Sequence, residues 1–110
     1  MESNKITQIL TNSNCGLAGM HDVYITISKK RNPEEIFGIP PKEIIFIDIK
    51  TGDVIELKFK HEKNGEYRLS RLGSYLRLKK AKPGNEIVLG WTDSEISGNR
   101  LFYIDVNNLI

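Results

Sequence analysis

Glu56-Leu57-Lys58, with Asp48 upstream, has the residue types of a metal-dependent phosphodiester hydrolase. That chemistry needs two carboxylates converging on a divalent cation, with a lysine near the attacking water. The two acids straddle the turn at Thr51-Gly52, so convergence is open on sequence alone. An E-x-K also arises by chance in any strand rich in Lys and Glu. His61-Glu62-Lys63 is an H-x-K, as in a second class of phosphodiesterase. The Asp that should follow it is replaced by Arg68, and no second copy exists. His21 and His61 are the only histidines and Cys15 the only cysteine, too few for a zinc set. No Gly-rich loop leads from a strand into a helix, so nucleotide hydrolysis has no support. No catalytic residue, cofactor or metal is expected.

What stands out instead is charge. Residues 58–82, KFKHEKNGEYRLSRLGSYLRLKKAK, hold nine Lys or Arg against two acids, Glu62 and Glu66. The window nets +7, whereas residues 1–57 net −2 and residues 83–110 net −3, giving the chain's +2. So modest a total excludes little about partners; its concentration in one window is the informative part.

These side chains must be positioned by a single small domain. The chain has 110 residues, enough to bury one core but short of a second. A lone cysteine forbids an intrachain disulfide and fits a reducing compartment. No apolar run reaches the roughly 20 residues that span a bilayer, and MESNKITQIL lacks the pattern of a signal peptide. A cytoplasmic protein with no membrane partner is the expectation.

Local patterns predict mostly short strands. Ser3 or Asn4 followed by Ile6, Ile9 and Leu10 at i, i+3, i+4 predicts a short opening helix, and TNSNCGLAG a loop. HDVYITIS alternates as a strand, with Val23, Ile25 and Ile27 on one face and Tyr24, Thr26 and Ser28 on the other. Asn32-Pro33-Glu34-Glu35 predicts a brief helix over 33–37. IIFIDIK and VIELKFK flank the turn Thr51-Gly52-Asp53, and EYRLSR follows Lys63-Asn64-Gly65, a strong hairpin signal. Residues 72–78 allow a helical turn. EIVLGW and RLFYIDV complete the set, after turns at Lys82-Pro83-Gly84-Asn85 and Ser97-Gly98-Asn99. The fold class is therefore mainly β with short helices, an open or closed barrel of about six to seven strands.

If residues 54–60 and 66–71 pair across Asn64-Gly65, then Ile55, Leu57, Phe59, Tyr67 and Leu69 face inward. Glu56, Lys58, Lys60, Glu66, Arg68 and Ser70 face outward. A two-stranded ribbon with such a face has the width of the major groove of B-DNA. Lysines attract phosphates whatever the sequence. Arg68 is suited to donate twice to guanine, and Glu66 to accept from cytosine N4. The bland alternative is a solvated face that protects a strand edge from aggregation.

Three segments tip that balance. Asn12 to Lys29 holds N-x-x-x-GLAGMH-x-x-x-x-I-x-K, which resembles the signature opening the effector-DNA-binding domain of EcoRII-type restriction endonucleases. NGEYRLSR resembles that family's N-E-x-R-I-T-R segment, and AKPGNEIVL its turn before a later strand. The three come in the family's order and span most of residues 4–106. Asp22 stands where the family has Gln, Ser28 where it has Pro, Ser13 where it has Asp, and Gly65 where it has Asn. The resemblance implies a DNA-binding pseudobarrel, shared with the BfiI C-terminal domain and the plant auxin-response-factor DNA-binding domain. It implies two arms in the major groove: the loop and strand around Asn12 to Thr26, carrying His21, and the hairpin around Lys58 to Arg71, carrying Glu66 and Arg68.

The expected function is sequence-specific binding of double-stranded DNA, without catalysis, as the recognition domain of a restriction endonuclease. Its nuclease domain would belong to the same parent protein or to a partner. Candidate DNA-binding positions on the two arms are Asn12, His21, Asp22, Tyr24, Thr26, Asn64, Glu66, Arg68 and Ser70, with Tyr24 and Thr26 equally readable as barrel surface. Lys29, Lys30, Arg31, Lys58, Lys60, Lys63, Arg71, Arg77, Lys79, Lys80 and Lys82 are candidates for holding the duplex, chiefly at phosphate. The alternatives are a small barrel binding an acidic protein partner and, with less support, a minimal Mg²⁺ nuclease.

Overall fold

Alternating apolar residues build seven strands here, and the turns between them decide which strands meet. The computed structural model describes residues 4–11, 23–93 and 100–107. In chain order it contains β1 (Lys5–Ile9), β2 (Ile25–Ile27), a 3₁₀ turn (Lys29–Arg31), α1 (Pro33–Phe37), β3 (Lys42–Asp48) and β4 (Val54–His61). β5 (Tyr67–Ser70), α2 (Gly73–Leu78), β6 (Glu86–Asp93) and β7 (Arg100–Asn107) follow. All seven strands join one sheet in the order β1-β6-β7-β3-β4-β5-β2. Every pairing is antiparallel except β3 with β7, where Ile47 lies beside Tyr103. Among the described residues β1 and β2 are the sheet's two edges, so it curls into a barrel left open between them.

The opening segment is a strand, not the expected helix. Ile6 pairs with Leu89 of β6, and β1 runs antiparallel to that strand over its whole length. Ile6 and Leu10 are buried while Ile9 is half exposed, the reverse of what a helical stripe requires. Leu10 enters the core by the strand's own alternation, on the same face as Ile6 and Gln8. Its N–H then donates to the Asn85 carbonyl at 2.8 Å, and its own carbonyl accepts from Gly84 N–H at 2.9 Å. A helix this short is marginal in water, whereas an open sheet edge offers a row of backbone partners.

The core is aromatic at one end. α1 forms where expected, with Pro33 at its first turn and Glu34 and Glu35 behind it. Asn32 takes the N-cap position in left-handed conformation and makes no side-chain cap bond. Phe37 projects from the helix into the barrel, its ring centroid 5.1 Å from Phe59 and 5.4 Å from Phe102. Arg100 fixes the helix from below, donating through Nη1 to the Glu35 and Ile36 carbonyls at 3.1 and 3.0 Å. α2 closes the other end with Tyr75 and Leu76, both buried. Among the described residues no helix is long and apolar enough to cross a membrane.

The sheet's outer surface divides by chemistry. On β3, β7 and the start of β4 it exposes Ile45, Ile47, Leu101 and Val54. Tyr103 lies across Gly90 of β6, so closely that a Cβ built on Gly90 would sit 2.1 Å from the ring. Further along β4, and on β5 and β2, the outer residues are Glu56, Lys58, Lys60, Arg68 and Thr26.

Candidate nucleic-acid interface

The hairpin forms with a longer loop than the two-residue Asn-Gly turn that its sequence suggests. Glu62 N–H donates to the Glu66 carbonyl at 2.8 Å, and Gly65 N–H to the Glu62 carbonyl at 2.9 Å. Gly65 has φ +91°, the left-handed residue that ends a three-residue hairpin loop. Lys60 therefore pairs with Arg68, and Lys58 with Ser70. On the other side of β5, Thr26 of β2 pairs with Arg68. The described part of the first predicted arm is thus a neighbouring strand to the second, and Arg68 is where they meet.

Arg68 and Glu66 sit in a tight polar cluster drawn from both arms. The Glu66 Oε1 accepts from Asn64 Nδ2 at 2.7 Å and from Arg68 Nη2 at 2.9 Å. Its Oε2 accepts from Thr26 Oγ1 at 3.3 Å. Asn64 Oδ1 accepts from the Glu66 backbone N–H at 2.9 Å, which fixes the loop that presents both side chains. The Arg68 guanidinium lies 4.1 Å from the centroid of the Tyr24 ring, a cation–π stack. Its Nη1 is 3.7 Å from Glu62 Oε1. The hydrogen bond from Arg68, then that from Asn64, holds the Glu66 carboxyl below the usual carboxylate range, against a smaller opposing effect of desolvation. Sequence alone gives no reason to pick Glu62; only the longer loop brings it opposite Glu66.

Other candidates separate into three groups. Lys30, Arg31, Lys63, Lys80 and Lys82 are exposed, and Lys58 and Lys60 half-buried on the outer face. Lys29 is exposed too and reaches over the hairpin loop, its Nζ 2.9 Å from where a Gly65 Cβ would be. Arg77 is exposed beside Ser74, with Nη2 3.4 Å from its Oγ. Arg71 sits between acids, its Nη1 3.5 Å from Glu43 and 3.6 Å from Glu56.

Two candidates are turned to structural partners. Ser70, expected on the outer face, is 1% exposed, and its hydroxyl donates to the Lys58 carbonyl at 3.3 Å. Alternation fails there because the chain leaves the sheet immediately afterwards, through Arg71 at φ +71°, and turns into α2. Lys79 directs its ammonium to Asp48 at 3.0 Å. Asn12, His21 and Asp22 lie outside the described residues.

The hydrolase motif comes apart. Asp48 points inward and is 1% exposed, whereas Glu56 is exposed on the outer face, paired with Ile45. The Asp48 carboxylate is already bound, by Tyr75 Oη at 2.7 Å, Lys79 Nζ at 3.0 Å and the backbone N–H groups of Lys50 and Thr51 at 2.8 and 3.0 Å. Burial alone would raise its pKa, but those donors outweigh it and hold the group well below the ordinary carboxylate range. His61 lies flat on Tyr67, centroids 4.1 Å apart. Among the described residues no three or more His, Cys, Asp or Glu side chains gather as a metal site.

The seven strands and two short helices of the described residues form a half-open barrel curled around an aromatic core, a pseudobarrel whose fold matches that of B3-type DNA-binding domains. Two solved structures share it across nearly the whole chain. One is an Arabidopsis FUS3–DNA complex, 16% identical, with a TM-score of 0.71 over 94% of this chain and 95% of that chain. The other is a complex of the Arabidopsis thaliana transcription factor LEC2 with DNA, 17% identical, with a TM-score of 0.68 over 100% of both chains. No protein-family profile and no curated protein sequence matches the chain.

Proposed function

We propose that this chain binds double-stranded DNA sequence-specifically, laying the outer face around Arg68 in the major groove. One observation carries the reading. Tyr24 and Thr26 from one arm, and Asn64, Glu66 and Arg68 from the other, form a single contact cluster beside Lys58 and Lys60. A guanidinium beside lysines combines a base-reading donor with sequence-independent phosphate attraction. The shared fold of two proteins solved as DNA complexes supports the same conclusion. Exposed Lys29, Lys30, Arg31, Lys63, Arg77, Lys80 and Lys82 would hold phosphates. The motifs at Asn12–Lys29 and NGEYRLSR support a finer reading, as the recognition module of a restriction endonuclease whose nuclease domain is in the same protein or in a partner.

Selection from a pool of random duplexes, followed by sequencing, tests the proposal. A defined motif is expected, with affinity that falls linearly in log salt by about 0.9 per phosphate contact. Equal recovery of all sequences, or binding indifferent to salt, would overturn it.

The exposed aliphatic residues Ile45, Ile47, Val54 and Leu101 favour a second reading, as a protein-interaction barrel, since adjacent exposed apolar side chains mark contact surfaces. That reading expects binding that persists at high salt and is lost on Ile47→Glu.

A further inference from the structure

We infer that Glu66 is a positioning residue, and that it clamps Arg68 with Tyr24 so that Arg68 alone reads the base, end-on through its two terminal nitrogens. The inference rests on the DNA-binding reading above and assigns roles within that site.

Glu66 is poorly placed to read anything itself. An ionised carboxylate offers about four lone-pair sites. Three are taken by protein donors: Asn64 and Arg68 on Oε1, and Thr26 on Oε2. Turning Oε1 toward a cytosine amino group would break a 2.7 Å and a 2.9 Å bond, one of them to a cation, which leaves a single lone pair on Oε2, beside the Thr26 hydroxyl. Such charge-assisted bonds are about twice as strong as neutral ones. The same three contacts make Glu66 a good anchor, since they tie it to both arms at once.

Arg68 has the opposite character. Its Nε is sealed from solvent and has no hydrogen-bond partner, although the side chain as a whole is 23% exposed. The accessible N–H groups are therefore those of Nη1 and Nη2. Each terminal nitrogen carries two hydrogens; Glu66 engages Nη2 at 2.9 Å, and Glu62 Oε1 lies 3.7 Å from Nη1, beyond hydrogen-bond reach, so an N–H of each nitrogen remains for an incoming acceptor pair. The O6 and N7 atoms of guanine form such a pair, spaced for two parallel bonds. Tyr24 against the guanidinium and Glu66 beside it fix the plane of that fork before DNA arrives. A side-on contact through Nε is closed off by burial.

Two measurements test this, one without DNA. In the ¹⁵N NMR spectrum of the free protein, rotation of the Arg68 guanidinium should be slow, and it should become fast in Glu66→Ala and in Tyr24→Leu. Fast rotation in the unaltered chain would overturn the clamp whether or not the chain binds DNA. In the duplex selection, Arg68→Ala should erase preference at one base pair, worth about five- to 150-fold in discrimination. Glu66→Ala and Tyr24→Leu should weaken preference at that same base pair and no other. The double variant Glu66→Ala/Arg68→Ala should lose no more than Arg68→Ala alone. Preference lost on Glu66→Ala at a different base pair would make Glu66 a reader. An unchanged motif in Glu66→Ala, with a lowered melting temperature, would make its contacts structural only; both outcomes overturn the assignment. If the unaltered chain selects no motif, the DNA-binding proposal fails separately, and the NMR result still decides the clamp.

Discussion

Lys79 and Asp48 form an ion pair that pins α2 to the end of β3, with nitrogen and oxygen 3.0 Å apart and the carboxylate 1% exposed. Tyr75, one turn earlier on the helix, donates to the same oxygen at 2.7 Å. Removing one partner of a buried pair leaves a charge without its counter-ion, which costs about 3–5 kcal/mol. Lys79→Ala should destabilise the fold toward the lower end of that range, because Tyr75 and two backbone donors remain. Lys80→Ala, at an exposed neighbour, should leave stability unchanged and reduce the salt dependence of duplex binding by about one unit. Urea denaturation and salt titration of both variants check the contrast. A stability loss in Lys80→Ala, or a reduced salt slope in Lys79→Ala with the fold unaffected, would reverse these roles.

The same carboxylate predicts acid sensitivity. Its folded pKa lies below the ordinary value of 3.8, so its contribution is fully present above that value and is lost progressively as pH falls from there through the lower folded pKa. Tyr75 behaves inversely. Burial, and then its bond to Asp48, raises its pKa above 10.0, so its contribution is full below pH 10 and lost as pH rises beyond. Asp48→Asn should be less stable at neutral pH and lose less on acidification than the unaltered chain. Melting temperatures taken from pH 7 down to pH 2 would show parallel curves if Asp48 were not the sensitive group.

Gly90 should be intolerant of even one added carbon. A Cβ there would lie 2.1 Å from the Tyr103 ring, and overpacking of this kind costs about 1–3 kcal/mol. Gly90→Ala is expected to lower thermal stability, and Tyr103→Ala in the same chain to relieve most of the clash. If the double variant is no better than the sum of the singles, the ring is not the obstacle.

Ser70→Ala removes a buried hydroxyl that donates to the Lys58 carbonyl. A loss of about 0.5–1.5 kcal/mol is expected, with no altered position in the selected DNA motif. A changed motif at constant stability would return Ser70 to the base-reading face.

The sequence patterns were informative where packing is local. Alternation located β3 to β7, and Pro33 with Glu34 and Glu35 located α1. They also put Glu66 and Arg68 on one face, as the structure does. Where the patterns fall short, a partner distant in sequence or the end of a strand decides. Ile6, Ile9 and Leu10 fit a helical stripe as well as a strand, and only β6 decides between them. Nothing near Lys79 announces that Asp48 waits beneath it, so a buried ion pair reads as one more cation in a basic run. For Glu66, read from sequence as an acceptor for cytosine, the structure adds what the pattern does not show, the convergence of Asn64, Arg68 and Thr26 on its carboxylate. Ser70 obeys alternation in sequence but sits where the strand ends.

The backbone pairing of β2 with β5 also has a mechanical consequence. Ile25, Thr26 and Ile27 lie in register against Leu69, Arg68 and Tyr67, and Leu72 N–H donates to the Val23 carbonyl at 3.1 Å just beyond. Parts of the two arms are therefore riveted into one plate, and their separation there is a fixed gauge rather than an adjustable grip. A duplex gripped by such a gauge would have to do the conforming. Steps that widen or twist easily would seat at little elastic cost, and stiff ones would resist. Base pairs that no side chain touches would then still be weighed, through the stiffness of the DNA itself.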